Sequence, residues 1–455
     1  MRQISRRRAL RTIGAGAGLA LAGPAALGAR LGGANAATGA AGPAPVRRAG
    51  SRPYPRLAPG TDTIPQIEHV VILMMENHTY DAYFGALGRG DGLTFRGGGA
   101  QNRCPDRAGR PVWSYRAQHG TCQAGNSVSQ SWEASHRAWN GGAMDGFVRT
   151  NGPSSMAYWT GQDIPFYWSL ARTFTLCDRY FSSVMAQTYP NRRFLMAASA
   201  FGQVGDPFPG PSDPDPRPHG YSTIFDLLNA YGISWKDYFA DLPTVGLFPA
   251  TFERNPDKIR PVAEFLADAA AGTLPSVSLV DPESAEGSEE SPEDVSAGQW
   301  YASQIINAVM NGPAWARTVL VFTYDEGGGY YDHVPPPRAV RPDGIAPEVP
   351  PGNTYGDLYS YYGFRVPTVV VSPFSRPGAV SSTVYDHTSI LKLIETKWNL
   401  PALSDRDANA NNMLDCLDLR HPHLSRPPTL APAQAPSSLP GCFLTNPSQN
   451  IQNAT

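Results

Sequence analysis

Four short runs of apolar and β-branched residues predict the strands of a buried β-sheet. They cover residues 70–75, 277–280, 318–324 and 367–371. The first run contains no polar residue, which is typical of a central strand of a parallel sheet that is covered on both faces. A polar residue follows each run directly, namely Glu76, Asp281, Asp325 and Ser372. Because ligands bind at the carboxyl ends of strands in open α/β sheets, we expect these four strand ends to form one functional edge.

The segments between the runs carry helical periodicity. Tyr301, Ile305 and Val309 fall on one face of a helix that Asp294 can cap. Residues 388–400 repeat the pattern. The alternation of strand, loop and helix predicts an α/β fold with a doubly wound, largely parallel central sheet, helices on both faces and long loops over its carboxyl edge.

Composition narrows the class of protein. The chain has 455 residues, enough for one large α/β domain with long loops or for two lobes. Glycine and proline number 45 and 44, so much of the chain is loop. The net charge of -2 gives no electrostatic reason to expect a nucleic-acid partner.

The first residues predict an export signal. Arg6 and Arg7 match the twin arginines read by the Tat machinery, and a weakly apolar run follows to about Leu27. Ala34-Asn35-Ala36 offers a cleavage site. We therefore expect a secreted protein with a signal peptide at 1–36, a flexible lead-in at 37–62, a main catalytic domain at 63–423 and a Pro-rich tail at 424–455. No later run approaches the ~18 apolar residues of a membrane span.

The chain contains five cysteines, and export permits disulfides. Cys104 and Cys122 bracket a Gly-rich loop, and Cys416 and Cys442 bracket the Pro-rich tail. We predict those two pairs and leave Cys177 as a buried thiol.

The stretch after the third run has the highest density of potentially functional side chains. Asp325 and Glu326 are followed by three glycines and then by Asp332-His333. Glycines let the backbone turn sharply and approach a ligand closely. Carboxylates and a histidine beside such a loop suggest a metal or phosphate site, and the alternative is an ordinary acidic turn.

The segment Thr188–Arg192 is a second candidate. It presents a hydroxyl at Thr188, an amide at Asn191 and a guanidinium at Arg192 around the fixed turn of Pro190. Arg and Asn can donate to a tetrahedral oxyanion, and the hydroxyl can attack it. Taken alone, the segment is weak evidence, because loops of this composition are more often plain turns.

Taken together, these motifs resemble the bacterial phospholipase C and acid phosphatase phosphoesterase family, which is related to the plant non-specific phospholipases C and has an alkaline phosphatase-like fold. The similarity extends in family order from about Ile67 to about Leu403. The matching motifs are Glu76–Gly85, His136–Gly146, Asp163–Tyr167, Thr188–Arg192, Asp325–Pro336 and Arg365–Ser389.

The resemblance implies a site for one divalent metal ion. Its ligands would be Glu76, Asn77, Asp325, Glu326 and the hydroxyl of Thr188. An all-oxygen ligand set favours Ca, Mg or Mn, and Zn remains compatible.

The resemblance also implies the catalytic roles. Thr188 would be the nucleophile, and His136 and His333 would contact phosphate oxygens or protonate the leaving group. Asn191 and Arg192, together with Asn77, would bind the phosphate. A threonine hydroxyl is a poor nucleophile at neutral pH, and metal coordination would activate it.

Two departures from the family pattern bear on the substrate. Ser291 stands where relatives often have a histidine before a proline, and Gly327 stands where many have a histidine after the acidic pair. Both changes affect phosphate contacts and leave the metal ligands intact.

We therefore expect a phospholipase C-type hydrolase, with an acid phosphatase as the alternative and a catalytically silent metal- or phosphate-binding protein as a third reading. The substrate would be a phospholipid or a small phosphate ester. A lipid substrate implies transient contact with a membrane surface through an apolar rim. Candidates for that rim are Phe208, Leu242, Val245, Leu247 and Phe248, which could instead pack inward. The aromatic segment 132–168 could supply a choline-binding face.

Overall fold

A computed structural model describes residues 46–117, 121–123, 128–207, 220–282, 287–349, 355 and 359–434. The predicted signal peptide at 1–36, with its cleavage site near Ala36, lies outside the described residues. Within the described residues, no helix is long and apolar enough to span a membrane.

The described residues form fourteen strands and eleven α-helices. The strands are β1 His69–Met75, β2 Phe95–Arg96, β3 Gly99–Ala100, β4 Arg103–Pro105, β5 Pro111–Trp113, β6 Tyr115–Arg116, β7 Ala157–Tyr158, β8 Thr175–Cys177, β9 Trp235–Phe239, β10 Ile259–Pro261, β11 Val277–Val280, β12 Thr318–Tyr324, β13 Val369–Val371 and β14 Val380–Ser381. The α-helices are α1 Tyr80–Phe84, α2 Trp132–Trp139, α3 Phe147–Asn151, α4 Pro165–Thr173, α5 Thr188–Ala197, α6 Ile224–Ala230, α7 Pro249–Arg254, α8 Val262–Ala271, α9 Val295–Asn311, α10 His387–Trp398 and α11 Asp405–Ala408.

An eight-stranded, largely parallel sheet organises the chain. Its strand order is β10-β9-β11-β1-β12-β13-β8-β14. The strands from β10 to β12 are mutually parallel, with β1 between β11 and β12. The apolar run of β1 is buried from Val70 to Met75, as a central strand covered on both faces requires. The predicted α/β class with a largely parallel sheet is confirmed.

Strand β13 departs from the prediction. It pairs antiparallel with β12 and with β8. The residue that follows it, Ser372, therefore lies at the opposite edge of the sheet, where its Oγ donates to the carbonyl of Thr318 at 2.9 Å. Ser372 does not join the functional edge, because the local apolar pattern of a strand carries no information on its direction.

The two predicted helices form, and the first has its predicted cap. Asp294 caps α9, and its Oδ1 accepts from the backbone N–H of Ser296 at 2.9 Å. Asp386 caps α10 through a reciprocal capping box with Ser389. Ile305 and Val309 of α9 are buried.

Part of the predicted lead-in is bonded to the main body. Residues 46–62 are described, and the N–H of Gly50 donates to the carbonyl of Ala402 at 2.7 Å. The N–H of Tyr54 donates to the side chain of Asn399 at 2.9 Å. Residues of the predicted lead-in thus contact the segment that follows α10, not the central sheet. Of the predicted tail, 424–434 is described and 435–455 lies outside the described residues.

The predicted cysteine pairs are wrong. Cys104 and Cys416 are free and buried. Cys104 lies in β4 with its Sγ 3.4 Å from the carbonyl of Met144, within a small apolar cluster. The Sγ of Cys416 lies 3.8 Å from the Sγ of Cys177, which is the predicted buried thiol. Cys442 lies outside the described residues.

Candidate active site

Two neighbouring parallel strands deliver the acidic residues. Met75 of β1 is in register with Tyr324 of β12, so Glu76 and Asp325 leave the sheet side by side. The N–H of Asn77 donates to Oδ1 of Asp325 at 3.3 Å. Asn77 has a left-handed φ of 71°. The glycines after Glu326 are needed here, because a Cβ on Gly328 would lie 1.9 Å from the carbonyl oxygen of Asn77.

Thr188 lies beside these acidic residues at the start of a helix. It is the first residue of α5, and its Oγ1 donates to Oε1 of Glu76 at 2.9 Å. Asn191 supports this turn, since its Oδ1 accepts from the N–H of Val184 at 3.1 Å and its Nδ2 donates to the carbonyl of Gln187 at 3.0 Å. The Asn191 side chain, which was predicted to bind phosphate, is fully buried and bonded to the loop before Thr188.

The carboxylates at this site repel one another. Burial raises the pKa of Glu76 well above its usual range, and the charges of Asp325 and Glu290 raise it further. Burial and the charge of Asp325 likewise raise the pKa of Glu326. Burial also raises the pKa of Asp325, against the opposing charge of Arg192. The site therefore holds more negative charge than its protein partners balance.

The donor set fits a divalent cation. Both side-chain atoms of Asn77 and the Oε1 of Glu326 are buried without a hydrogen-bond partner. Buried polar atoms are nearly always paired, so unpartnered oxygens beside crowded carboxylates indicate space for a cation. Glu76, Asp325 and the Thr188 hydroxyl supply the remaining oxygen donors. An all-oxygen set matches a hard metal ion.

Arg192 is bonded to carboxylates around this site. Its Nε donates to Oδ2 of Asp325 at 3.1 Å, and its Nη1 donates to Oδ1 of Asp281 at 3.2 Å. Nη1 also lies 3.2 Å from Oγ1 of Thr244. The side chain is 6% exposed. The structure thus brings Arg192 to Asp325, one of the predicted metal ligands, and Asp281 and Asp325 hold its guanidinium in place.

The two predicted catalytic histidines lie in different surroundings. His136 of α2 is buried, its Nδ1 is 2.7 Å from the carbonyl of Trp132, and its ring stacks on Tyr355. His333 has Nδ1 at 2.7 Å from Oδ2 of Asp81 and Nε2 at 3.1 Å from Oδ1 of Asp91. Both ring nitrogens of His333 therefore face carboxylates.

Asp81, Asp332 and His333 form a second group of potential metal ligands. The fully buried Arg365 is bonded to both carboxylates of this group. Nη2 of Arg365 donates to Asp81 at 3.0 Å, and its Nε donates to Asp332 at 3.1 Å. The carboxylates of this group are thus balanced by protein cations, unlike those around Glu76.

Comparison with known proteins decides the family. A model of the phosphoesterase family matches residues 67–401, well over half of the chain. The chain belongs to this family. The predicted resemblance is confirmed.

The relatives of this phosphoesterase carry phospholipase names. A non-hemolytic phospholipase C from Burkholderia pseudomallei is 33% identical over 74% of this chain and 56% of its own length. Phospholipase C A from Mycobacterium tuberculosis is 32% identical over 80% of each chain. Non-specific phospholipase C6 from Arabidopsis thaliana is 29% identical over 82% of this chain and 76% of its own. The chain thus spans little more than half of the Burkholderia relative.

Among solved structures, an alkaline phosphatase superfamily protein from Vibrio parahaemolyticus is similar with a TM-score of 0.39 at 10% identity. The similarity covers 78% of this chain and 71% of that chain.

Several site residues of this phosphoesterase escape prediction from sequence. Nε2 of His387 lies 2.7 Å from the carbonyl of Asp325, and burial lowers the pKa of His387 to about 3, so the neutral ring can donate to that carbonyl. Glu289 accepts from the hydroxyls of Tyr83, Tyr167 and Tyr324, at 2.5, 2.5 and 2.7 Å. The sequence signals were a helix start at His387 and an acidic loop around Glu289, and neither reveals a partner.

The predicted apolar rim is not formed as expected. Val245, Leu247 and Phe248 are buried in the main core. Leu242 is 51% exposed, and Phe208 lies outside the described residues. The three buried residues pack inward because the turn that carries them is tied to the sheet, the N–H of Val245 donating to Oδ2 of Asp237 at 3.0 Å.

Proposed function

We propose that the chain is a metal-dependent phosphoesterase that works through a phosphothreonine intermediate. Its first activity would be phospholipase C-type, releasing diacylglycerol and a phosphorylated headgroup from phosphatidylcholine or a similar phospholipid. The observation that carries the proposal is the 2.9 Å contact of Thr188 Oγ1 with Glu76, at the edge of a group of unpartnered oxygen donors. A hydroxyl in that position is the expected arrangement for an activated nucleophile.

The residues divide the reaction into two steps. Thr188 attacks phosphorus, its proton passes toward Glu76, and the bond to the leaving alcohol breaks as that alcohol takes a proton. Water then cleaves the bond between Thr188 and phosphorus. A bound divalent cation would lower the pKa of the hydroxyl and neutralise charge that develops on the phosphate oxygens. The leaving alcohol would take its proton from His136 or His333, the two histidines that the resemblance assigns to this role, and both ring nitrogens of His333 face carboxylates.

An acid phosphatase of the same family is the second candidate. The observation in its favour is that Val245, Leu247 and Phe248, three of the five residues predicted for an apolar rim, pack into the core. A small phosphomonoester needs no membrane-facing surface. The names of the relatives support the phospholipase, and the buried rim supports the phosphatase.

Thr188→Ala is the decisive test of the mechanism. We expect turnover to fall by at least ~10³-fold, the scale of a lost nucleophile. Acid-quenched wild-type enzyme should carry phosphate or the phosphorylated headgroup on Thr188 by mass spectrometry. Thr173→Ala removes a hydroxyl that bonds only within α4, to the carbonyl of Ser169, and serves as the matched control. Near-normal turnover by Thr188→Ala would disprove the nucleophile.

Substrate class requires a direct comparison. Phosphocholine release from phosphatidylcholine micelles and phosphate release from an aryl phosphate are measured on the same preparation. Faster release from the lipid supports the phospholipase, and activity confined to the monoester supports the phosphatase.

Export through the Tat pathway stays a proposal of its own. It predicts a mature N-terminus near residue 37 in the culture medium of a host with a working Tat translocase, and retention in a host without one. Secretion in both hosts would contradict it.

A further inference from the structure

A carboxylate behind the metal ligands has no role in the mechanism above. Asp281 follows β11 and is 2% exposed. Its Oδ1 accepts from Nη1 of Arg192 at 3.2 Å, and its Oδ2 accepts from the N–H of Thr244 at 2.9 Å. Both oxygens of Asp281 are thus committed to protein donors.

Arg192 joins Asp281 to a metal ligand. Its Nε donates to Asp325 while its Nη1 donates to Asp281, so one planar guanidinium spans two carboxylates from two strand ends. The Asp325 oxygens also accept from the N–H groups of Asn77 and Glu326. The guanidinium completes the set of donors that fixes the orientation of Asp325.

The positive charge of Arg192 lies close to the proposed cation site, and Asp281 reduces its effect there. A guanidinium beside a cation site opposes the binding of the cation. Because Arg192 is also bonded to Asp281, the negative charge of Asp281 largely balances the guanidinium, which then repels a cation less.

We propose that Asp281 is a positioning residue of the metal centre, holding Arg192 so that Asp325 keeps its orientation and the guanidinium charge does not oppose the cation. The inference rests on the proposed function, because it presumes that the oxygen donors bind a metal ion. Second-sphere partners of metal ligands typically contribute 10–100-fold to metal affinity.

The test is metal affinity, measured apart from turnover. Metal-free protein is titrated with Mn²⁺ and with Ca²⁺ by calorimetry. Asp281→Asn keeps the shape of the side chain and removes its charge, and we expect a Kd about tenfold weaker or more. At saturating Mn²⁺ we expect kcat to recover toward the wild-type value, which a general loss of folded protein would not allow.

The matched control is Asp268→Asn in helix α8. Asp268 pairs with Lys236 at 2.7 Å, and Lys236 is not bonded to any of the metal ligands named above. Its Kd should be unchanged. Asp281→Glu keeps the charge and moves it by one methylene, and its Kd should lie between those of wild type and Asp281→Asn. If Asp281→Asn does not fold, Asp281→Glu compared with Asp268→Glu decides the same question.

Failure of the proposed function and failure of the role of Asp281 give different results. Wild-type protein that binds neither Mn²⁺ nor Ca²⁺, and neither Mg²⁺ nor Zn²⁺ in the same titration, overturns the metal centre and the proposed function with it. Wild-type protein that binds metal, with an unchanged Kd in the Asp281 variants, overturns only the role of Asp281.

Discussion

Two clusters contain the acidic residues that follow β1 and β12, and they differ in the groups that balance their negative charge. The open cluster consists of Glu76, Asn77, Asp325 and Glu326. The paired cluster consists of Asp81, Asp332, His333 and Arg365. In the open cluster, Arg192 faces several carboxylates, and buried oxygens lack partners.

In the paired cluster, Arg365 is bonded to both Asp81 and Asp332, and His333 is bonded to Asp81. Similar residue types therefore serve different purposes. In the paired cluster both acids are bonded to Arg365, whereas in the described part of the open cluster Arg192 is bonded to Asp325 and not to Glu76 or Glu326. The count of acids at a strand end does not separate these cases, whereas the count of their partners does.

The largest expected effect is on the open cluster. Asp325→Asn removes a central ligand charge, and we expect metal binding to fall below detection by calorimetry and turnover to fall by at least ~10³-fold. The thermal stability of the metal-free protein should change little, because relief of the repulsion with Glu76 and Glu326 offsets the loss of the ion pair with Arg192, which keeps Asp281 as a partner. Metal binding that survives in Asp325→Asn would refute the division between the clusters.

The same substitution in the paired cluster should act on stability. Asp332→Asn leaves Arg365 partly uncompensated in the interior, and breaking such a pair costs about 3–5 kcal/mol. Urea unfolding measures the loss. Metal affinity of the folded fraction should stay at the wild-type value, and a weakened Kd would show that the two clusters are coupled.

The paired cluster should also respond to pH. Burial lowers the pKa of His333, but the hydrogen bond and charge of Asp81 outweigh burial and raise it to about 9, above the usual 6.5. A raised pKa means that this stabilisation is fully present below pH 6.5 and is lost as pH rises through about 9. Its size is on the order of 3 kcal/mol.

His333→Gln is the control for that titration. The wild-type free energy of unfolding should fall between pH 6.5 and 9.5, and the variant should lack this part of the slope. If the free energy of unfolding changes with pH in the same way in both proteins, His333 is not the cause of the pH dependence.

The smallest effect concerns the residue between the clusters. Oγ1 of Thr79 accepts from the N–H of Ala82 at 3.2 Å, capping α1, and donates to the carbonyl of Tyr331 at 2.7 Å. Thr79→Ala should cost about 1 kcal/mol in thermal unfolding, the scale of a lost helix cap. Thr79→Ser keeps the hydroxyl and should recover most of it. A loss of several kcal/mol that serine does not recover would mean that the methyl packing of Thr79 matters more than its hydroxyl.

The local pattern was sufficient for the elements and for the first acids of the site. The apolar runs of β1, β11 and β12 form strands at the predicted places, and Asp294 and Asp386 cap the predicted helices. Parallel pairing in register then brings Glu76 and Asp325 together, as strand ends in one sheet must. These features follow from sequence because burial, periodicity and capping depend on neighbours within a few residues.

Partners distant in the chain could not be predicted in this way. Arg365 is 284 positions from Asp81, and Arg192 is 133 positions from Asp325. The antiparallel direction of β13, the free thiols of Cys104 and Cys416 and the inward packing of Leu247 also follow from distant contacts.

The sequence by itself determined which residues could do chemistry and at which strand ends most of them would lie. Only the tertiary structure decided which of them lack a protein partner. The physical reason is that the free energy of a buried charge depends on the nearest opposite charge in space, and the chain brings that charge from anywhere along its length.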